Sequence, residues 1–201
     1  MKSTETQATT VYNVNEIFYS LQGEGFHTGT PAVFIRLAGC NLRCPFCDTP
    51  HTAFTPMDID RIIELIVPYA AATVVLTGGE PTLHNLGPLV EALHGDRRRV
   101  HIETNGTRPV HPDIDWVTCS PKTLSSGPEA ALHPSMASRA DELKIVFQDA
   151  RGIEELARRF DTKNLFLQPC SCSNTAAVVE YIKAHPHWRL SLQTHKLIDI
   201  R

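Results

Sequence analysis

Five short polar or glycine-rich steps in this chain each follow directly on an apolar stretch of strand length. That repetition narrows the possible folds more than any other feature. The steps are Gly39-Cys40, Gly78-Gly79-Glu80-Pro81, Thr104-Asn105-Gly106, Pro121-Lys122 and Pro169. Strand-length runs span residues 11–18, 31–38, 73–77, 100–103, 116–120, 143–147, 165–168 and 188–193. Several, such as Val74-Val75-Leu76 and Lys144-Ile145-Val146-Phe147, read as continuous apolar runs, the pattern of strands covered on both faces.

Amphipathic segments separate these runs. Ile59, Ile62, Ile63, Ile66 and Val67 recur at spacings of three and four and form one apolar stripe. Thr55 is expected to cap that helix, with Pro56 at its first position and Asp58 in its first turn. Ile153, Leu156, Ala157 and Phe160 make a second stripe; Val178, Val179 and Ile182 make a third, after the start signal Ser173-Asn174. Strand–helix alternation along the whole length implies parallel pairing through right-handed crossovers. At 201 residues the chain is shorter than the roughly 250 residues of a closed eight-fold barrel. The expected fold is therefore α/β, a reduced, partly open barrel with mainly parallel strands. Reacting groups in such sheets gather beyond the carboxyl ends of the strands, where the five steps fall.

With 42% hydrophobic residues, the chain can bury one core but hardly two. A single catalytic domain is expected over residues 11–201, preceded by a polar, flexible lead over residues 1–10. Residues 125–138 read as a surface loop. A net charge of −3 offers no global basic field for nucleic acid, and Arg97-Arg98-Arg99 fits a solvated turn. No apolar stretch approaches the ~20 residues of a membrane span, and the first ten residues lack the apolar centre of a secretory signal. Six cysteines without export features point to a reducing cytoplasm and to metal or redox chemistry rather than disulfides.

Three of those cysteines fall within eight residues, Cys40-Asn41-Leu42-Arg43-Cys44-Pro45-Phe46-Cys47. Three thiolates can grip three corners of a four-iron cluster and leave the fourth iron open to a small molecule. His51 would extend the run to C-x3-C-x2-C-x3-H, and a closed three-cysteine, one-histidine zinc site is the alternative. Zinc of that kind stabilises small units with little core, which this chain does not need. Cys119 reads as a small core hydrophobe, and Cys170 and Cys172 are too few for a second cluster.

Cys40-x3-Cys44-x2-Cys47, with Phe46 before the last cysteine and Gly78-Gly79-Glu80-Pro81 after the next strand, resembles the radical S-adenosylmethionine superfamily. Further segments narrow the likeness. Glu16-Ile17-Phe18-Tyr19-Ser20-Leu21-Gln22-Gly23-Glu24-Gly25, Cys47-Asp48-Thr49, Glu103-Thr104-Asn105-Gly106, Ser120-Pro121-Lys122 and Gln193-Thr194-His195-Lys196 resemble the 7-carboxy-7-deazaguanine synthase family. The resemblance implies a lyase that contracts the ring of 6-carboxy-5,6,7,8-tetrahydropterin, with loss of ammonia, on the way to queuosine. It implies a [4Fe–4S] cluster on Cys40, Cys44 and Cys47, S-adenosylmethionine on the open iron, and Mg2+ on Thr49. It also implies a flavodoxin-like or ferredoxin-like electron donor and a homodimer.

By the same resemblance, Phe46, Cys47 and Asp48 contact the adenine of S-adenosylmethionine. Gly79 and Glu80 meet its amino group, and Ser120, Pro121, Lys122, Gln168, Pro169, Cys170 and Ser171 hold its ribose and methionine portions. Leu21, Gln22, Gly23, Arg36, Thr77, Glu103 and His195 face the substrate. The carboxylate of Arg201 reaches the pterin amine side. No side chain is assigned as a general acid or base. Physical readings stand beside these. Arg36 lies within an apolar strand, where an unpaired guanidinium is costly, so it needs a carboxylate; that carboxylate is the substrate's or that of Glu24 or Glu103. Thr49 is equally suited to capping, Leu21-Gln22-Gly23 to an ordinary turn, and His195 to the surface. A glycyl-radical activase and a non-catalytic zinc- or cluster-binding module are the rival functions.

Overall fold

The computed structural model describes residues 10–126, 130–170 and 173–201, with Ser125 described by its backbone alone. The expected lead thus lies, but for its last residue, outside the described residues, as do Ser171 and Cys172. Nine strands form one open, mixed sheet in the order β3-β1-β2-β4-β5-β6-β7-β8-β9. They are β1 (Val11–Leu21), β2 (Pro31–Leu37), β3 (Thr55–Asp58), β4 (Thr73–Gly78), β5 (Arg99–Thr104), β6 (Trp116–Cys119), β7 (Glu142–Phe147), β8 (Leu165–Pro169) and β9 (Arg189–Leu190). From β2 to β9 every neighbouring pair is parallel. Pairing is not parallel throughout, because β1 runs antiparallel to both β2 and β3. No helix separates β1 from β2, and a parallel pair needs a crossover between its strands.

Seven α-helices accompany the sheet among the described residues: α1 (Ile59–Ile66), α2 (Gly87–Gly95), α3 (Thr123–Ser126), α4 (Met136–Arg139), α5 (Ile153–Ala157), α6 (Thr175–Ala184) and α7 (Thr194–Leu197). The main core lies between helices and sheet. Ile35, Leu76, Ile102, Val117, Leu143 and Leu167 from successive strands are buried there with Ile62, Ile66, Leu89 and Val178 from the helices. Side chains on the opposite sheet face alternate with these, as the two-residue period requires. Near one end, that face carries a small apolar group of Ala32, Phe34 and Val75 with Phe18 packed against it. Toward the carboxyl ends it carries Arg36, Thr77, Glu103, Lys144 and Gln168.

Three local expectations change. Thr55 opens the short strand β3 instead of capping a helix. The α1 cap is Asp58, whose Oδ1 accepts from Arg61 N at 2.9 Å. Of the expected surface loop over residues 125–138, residues 127–129 lie outside the described residues; further along, Met136 is fully buried in the core and Leu132 packs partly buried against it. The last strand shrinks from residues 188–193 to Arg189–Leu190, because it pairs only with β8 before the chain turns away. Ser191 then bonds Gly25 N at 2.9 Å, and Thr194 N donates to Gly23 O at 3.0 Å.

Asp58→Ala should therefore lower stability by about 1 kcal/mol, measured as a shift in the urea midpoint. Thr55→Ala should stay within about 0.5 kcal/mol; the reverse ranking would restore Thr55 as the cap.

Candidate active site

Beyond the carboxyl ends of the strands lies a cleft of about 360 Å³. Cys40, Cys44 and Cys47 line one wall, with Phe46, Asp48 and Thr49 beside them. Residues 38–54, between β2 and β3, contain no helix or strand, which leaves most peptide N–H groups there outside any ladder. The turn after β4 presses on this loop. A Cβ placed on Gly79 would lie 2.0 Å from Gly39 O and 2.9 Å from Cys40 Cβ, and one on Gly78 (φ +135°) would lie 2.0 Å from Leu37 O. Only glycine permits so close an approach. Gly79 N and Glu80 N then donate to Leu37 O and Gly39 O at 3.1 and 2.9 Å.

The three thiols are free of disulfides. Burial pushes the Cys40 thiol up, and negative charge on Glu80, Cys44 and Cys47 pushes it further, against a bond from Leu42 N. Three thiolates that repel one another call for a cation among them. Among the described residues, no three His, Cys, Asp or Glu side chains sit close enough together to hold a single ion, so the closed zinc site with His51 is not assembled. A four-iron cubane spreads its thiolates wider than one tetrahedral ion does. The donor set, soft sulfur with a side open to the cleft, fits it.

Opposite the cysteines, Lys144 on β7 is only 4% exposed and holds two carboxylates, Glu24 Oε2 at 2.6 Å and Glu103 Oε2 at 2.9 Å. Burial alone would pull its ammonium down, but Glu103, Glu24 and Glu142 together raise it. Burial raises Glu24 too, yet the Lys144 charge and the hydrogen bonds from Lys144 and Gln193 together lower it. Burial and the charge of Glu24 leave Glu103 above its usual range despite Lys144. Gln22 Nε2 donates to Glu103 Oε1 at 3.3 Å, and Gln193 Nε2 donates to Glu24 Oε1 at 3.0 Å and to Asp48 Oδ2 at 3.2 Å. Lys196 also pairs with Asp48. A polar chain thus crosses the cleft from β5 to the cysteine loop.

His195 on α7 sits against the Leu21-Gln22-Gly23 turn, where a Cβ on Gly23 would lie 2.2 Å from its Nδ1. Burial lowers its imidazole pKa, favouring the neutral ring. Arg36 Nε donates to Glu16 Oε1 at 2.8 Å; the in-chain partner is neither Glu24 nor Glu103. Arg201 also pairs with Glu16, and Ser20 Oγ bonds the Arg201 main-chain oxygen. Thr77, Gln168, Pro169, Cys170 and Ser120 line the same cleft, as does Lys122, whose Nζ donates to Ser120 Oγ at 2.7 Å and lies 5.9 Å from the Phe46 ring centroid. Thr49 Oγ1 lies 3.4 Å from Asp48 Oδ1.

Two expected contacts do not face the cleft. Glu80 is 0% exposed. Its Oε1 accepts from Thr82 N, Thr82 Oγ1 and Thr104 Oγ1 at 3.0, 2.6 and 2.8 Å, and its Oε2 accepts from Asn105 N at 2.7 Å. The carboxylate so engaged is a strut joining the turn after β4 to the end of β5. Pro121 is buried and faces an adjoining cavity of about 320 Å³ that shares Phe46. Cys119 is also buried, and its thiol is pushed up by that burial, in keeping with a core hydrophobe. Lys144, Glu16, Gln193 and Lys196 are among the cleft residues that sequence reasoning left unassigned. A lysine within the run Leu143-Lys144-Ile145-Val146-Phe147 carries the same signal that singled out Arg36.

Residues 34–146 match the model of the Radical SAM superfamily. A 7-carboxy-7-deazaguanine synthase of Bacteroides thetaiotaomicron is 56% identical over 189 residues, covering 94% of this chain and 98% of that protein. The protein of the same name from Haemophilus influenzae is 37% identical over 201 residues, with 94% of each covered. The crystal structure of QueE from Escherichia coli is similar with a TM-score of 0.78 at 35% identity, covering 92% of this chain and 95% of that one.

Lys144→Met would leave two partly buried carboxylates without their cation. The expected loss is about 3–5 kcal/mol in urea unfolding, mostly recovered when Glu24→Gln and Glu103→Gln are added. Glu142, behind this network, is pushed by burial from 4.5 up to about 7, against the pull of Lys144. Its folded value lies above its unfolded one, so its stabilising contribution is complete below pH 4.5 and fades as pH rises through about 7. Glu142→Gln should flatten that fall in urea midpoint, by on the order of 2 kcal/mol at about pH 8; an unchanged slope would exclude Glu142 as its source.

Proposed function

The chain belongs to the 7-carboxy-7-deazaguanine synthase family of the radical S-adenosylmethionine superfamily, and from that premise we propose how its cleft divides the work. The reaction converts 6-carboxy-5,6,7,8-tetrahydropterin to 7-carboxy-7-deazaguanine and ammonia in queuosine biosynthesis. It uses a [4Fe–4S] cluster, S-adenosylmethionine and Mg2+. The observation that carries the reading is the opposition of two walls in one cleft: three cysteines on one, and Arg36 with the Glu24–Lys144–Glu103 set on the other.

Cys40, Cys44 and Cys47 would hold the cluster, and Thr49 the Mg2+, whose remaining positions suit water and substrate oxygens. When bound, the cluster and S-adenosylmethionine supply a carbon-centred radical able to take the C6 hydrogen. This chain's residues bind, orient and exclude water. Phe46, Cys47, Asp48 and the Gly79 main chain lie beside the cysteines, placed for the cofactor. Ser120, Lys122, Gln168, Pro169 and Cys170 stand at the ends of β6 and β8, where its polar portions would reach.

The guanidinium of Arg36 takes the substrate carboxylate as a fork. Glu103 and Glu24, kept in place by Lys144, offer acceptor oxygens to the N–H groups of the pterin ring. Gln22 and the main chain of Leu21 and Gly23 read the same edge. Thr77 and Arg201 border the substrate on either side of Arg36, and the neutral imidazole of His195 can hold or release a proton at the cleft wall. We read residues 11–201 as one catalytic unit, active as a homodimer in the cytoplasm and reduced by a flavodoxin-like or ferredoxin-like donor. Among the described residues no helix is long and apolar enough to cross a membrane.

Anaerobic purification should give a brown protein with about four irons per chain that forms 7-carboxy-7-deazaguanine from the carboxypterin, S-adenosylmethionine and reductant. Arg36→Ala should weaken carboxypterin binding while cleavage of S-adenosylmethionine without substrate persists. A fully loaded cluster that yields no deazaguanine would overturn the substrate assignment, and equal loss of both activities would make Arg36 structural.

A further inference from the structure

We propose that Glu16 is a positioning residue for the substrate's carboxylate: it sets the plane of Arg36 and draws Arg201 alongside. The proposal rests on the reading of Arg36 given above. Its origin is a β-bulge. In the β1–β2 ladder Val14 pairs with Leu37, yet the next pair is Glu16 with Arg36, so two residues of β1 are spent on one step of β2. Tyr12 and Val14 lie in the helix-side core. By the two-residue period, Glu16 would follow them there and would face Ile35 in an apolar layer. The extra residue, Asn15, reverses the alternation, so that Glu16 and Phe18 emerge in the cleft with Phe34 and Arg36. Asn15 itself is anchored sideways, its Nδ2 donating to Ala53 O at 2.6 Å. Bulges re-aim side chains in this way.

The re-aimed carboxylate uses its two oxygens separately. Oε1 accepts from Arg36 Nε at 2.8 Å, and Oε2 pairs with the Arg201 guanidinium. Phe18 serves both cations, with the Arg36 Cζ 5.8 Å and the Arg201 Cζ 5.3 Å from its ring centroid. Arg36 is 19% exposed, and Glu16 engages it only through Nε. The Nη edge of the fork makes no hydrogen bond among the described residues and remains available for a second carboxylate. A guanidinium on a flexible stem loses rotamer freedom when it binds an anion. Glu16 removes that freedom beforehand, which is preorganisation. A ligand without a carboxylate gains nothing from it, so Glu16 should set specificity as well as affinity.

The test uses the anaerobically reconstituted holoenzyme and calorimetric titration with two ligands, 6-carboxy-5,6,7,8-tetrahydropterin and tetrahydropterin lacking the carboxylate. Glu16→Gln should weaken binding of the first by about tenfold and leave the second within about twofold. KM should rise more than kcat falls. Glu16→Asp, which keeps the charge on a shorter stem, should show the same selectivity with a smaller loss, and S-adenosylmethionine titrated into each variant checks that the site is folded. Unchanged or tighter carboxypterin binding would show Glu16 to be a bystander or a competitor. Equal weakening of both ligands would make it merely structural. Unsubstituted protein that binds the two ligands equally would instead sink the reading of Arg36 beneath the proposal.

Discussion

A lysine buried on the inner face of a sheet must keep its charge compensated, and Lys144 does so with one carboxylate from a strand and one from a loop. Glu103 comes from β5, two places along the sheet. Glu24 comes from the connection between β1 and β2 and has to be carried across the sheet to reach β7. That demand explains why residues 22–30 arch over the strands. Gly23 packs on His195 and Gly25 on Glu142 at distances no side chain would permit, and Ser191 and Thr194 fasten the same arch from beyond β9. The partial closure of an otherwise open sheet is thus electrostatic and main-chain in origin. The set holds two carboxylates on one ammonium, so losing the lysine, which leaves both acids uncompensated in a low-dielectric setting, is the costly way to break it.

The cleft beneath the arch keeps soft and hard chemistry apart. The three cysteine thiols sit on a loop pressed by the Gly78-Gly79 turn. Glu16, Arg36, Glu103 and Lys144 sit on strands, whose backbone ladder fixes them, and Glu24 joins them from the arch. Glu80 joins the two halves from below: its carboxylate ties the glycine turn to Thr104 and Asn105, and Asn105 Nδ2 reaches the cysteine loop through Asn41 Oδ1 at 3.1 Å. The acid in this Gly-Gly-Glu step therefore acts on the site through the main chain it holds. Gln193 plays the matching part above, bridging Glu24 and Asp48, so that α7 responds to both walls.

Much of this was legible in the order of residues, because strands and helices announce themselves by period. The strand starts and the placing of Cys40, Gly79, Ser120 and Gln168 at strand ends needed only apolar runs and the steps that follow them. Short elements were harder. The four-residue β3 contains Pro56, tolerated because β3 is an edge strand, and its Thr-Pro start imitates a helix cap. Lys144 was hidden inside a run that reads as apolar, although the reasoning applied to Arg36 would have exposed it. Glu16 opens a segment that carries the family likeness, but nothing showed which way it faces: that depends on a bulge, and a bulge is a property of two strands rather than of one.

The amino-acid order alone determined the alternating α/β architecture, the three-thiolate loop and the need of Arg36 for a carboxylate. These follow from local period, residue chemistry and the cost of burying an unpaired charge. Only the tertiary structure decided which carboxylate answers which cation, that Glu80 faces inward and that Glu16 faces the cleft. Those outcomes depend on register and on chain segments far apart in sequence, and partners chosen across a sheet leave no trace in the spacing along a strand.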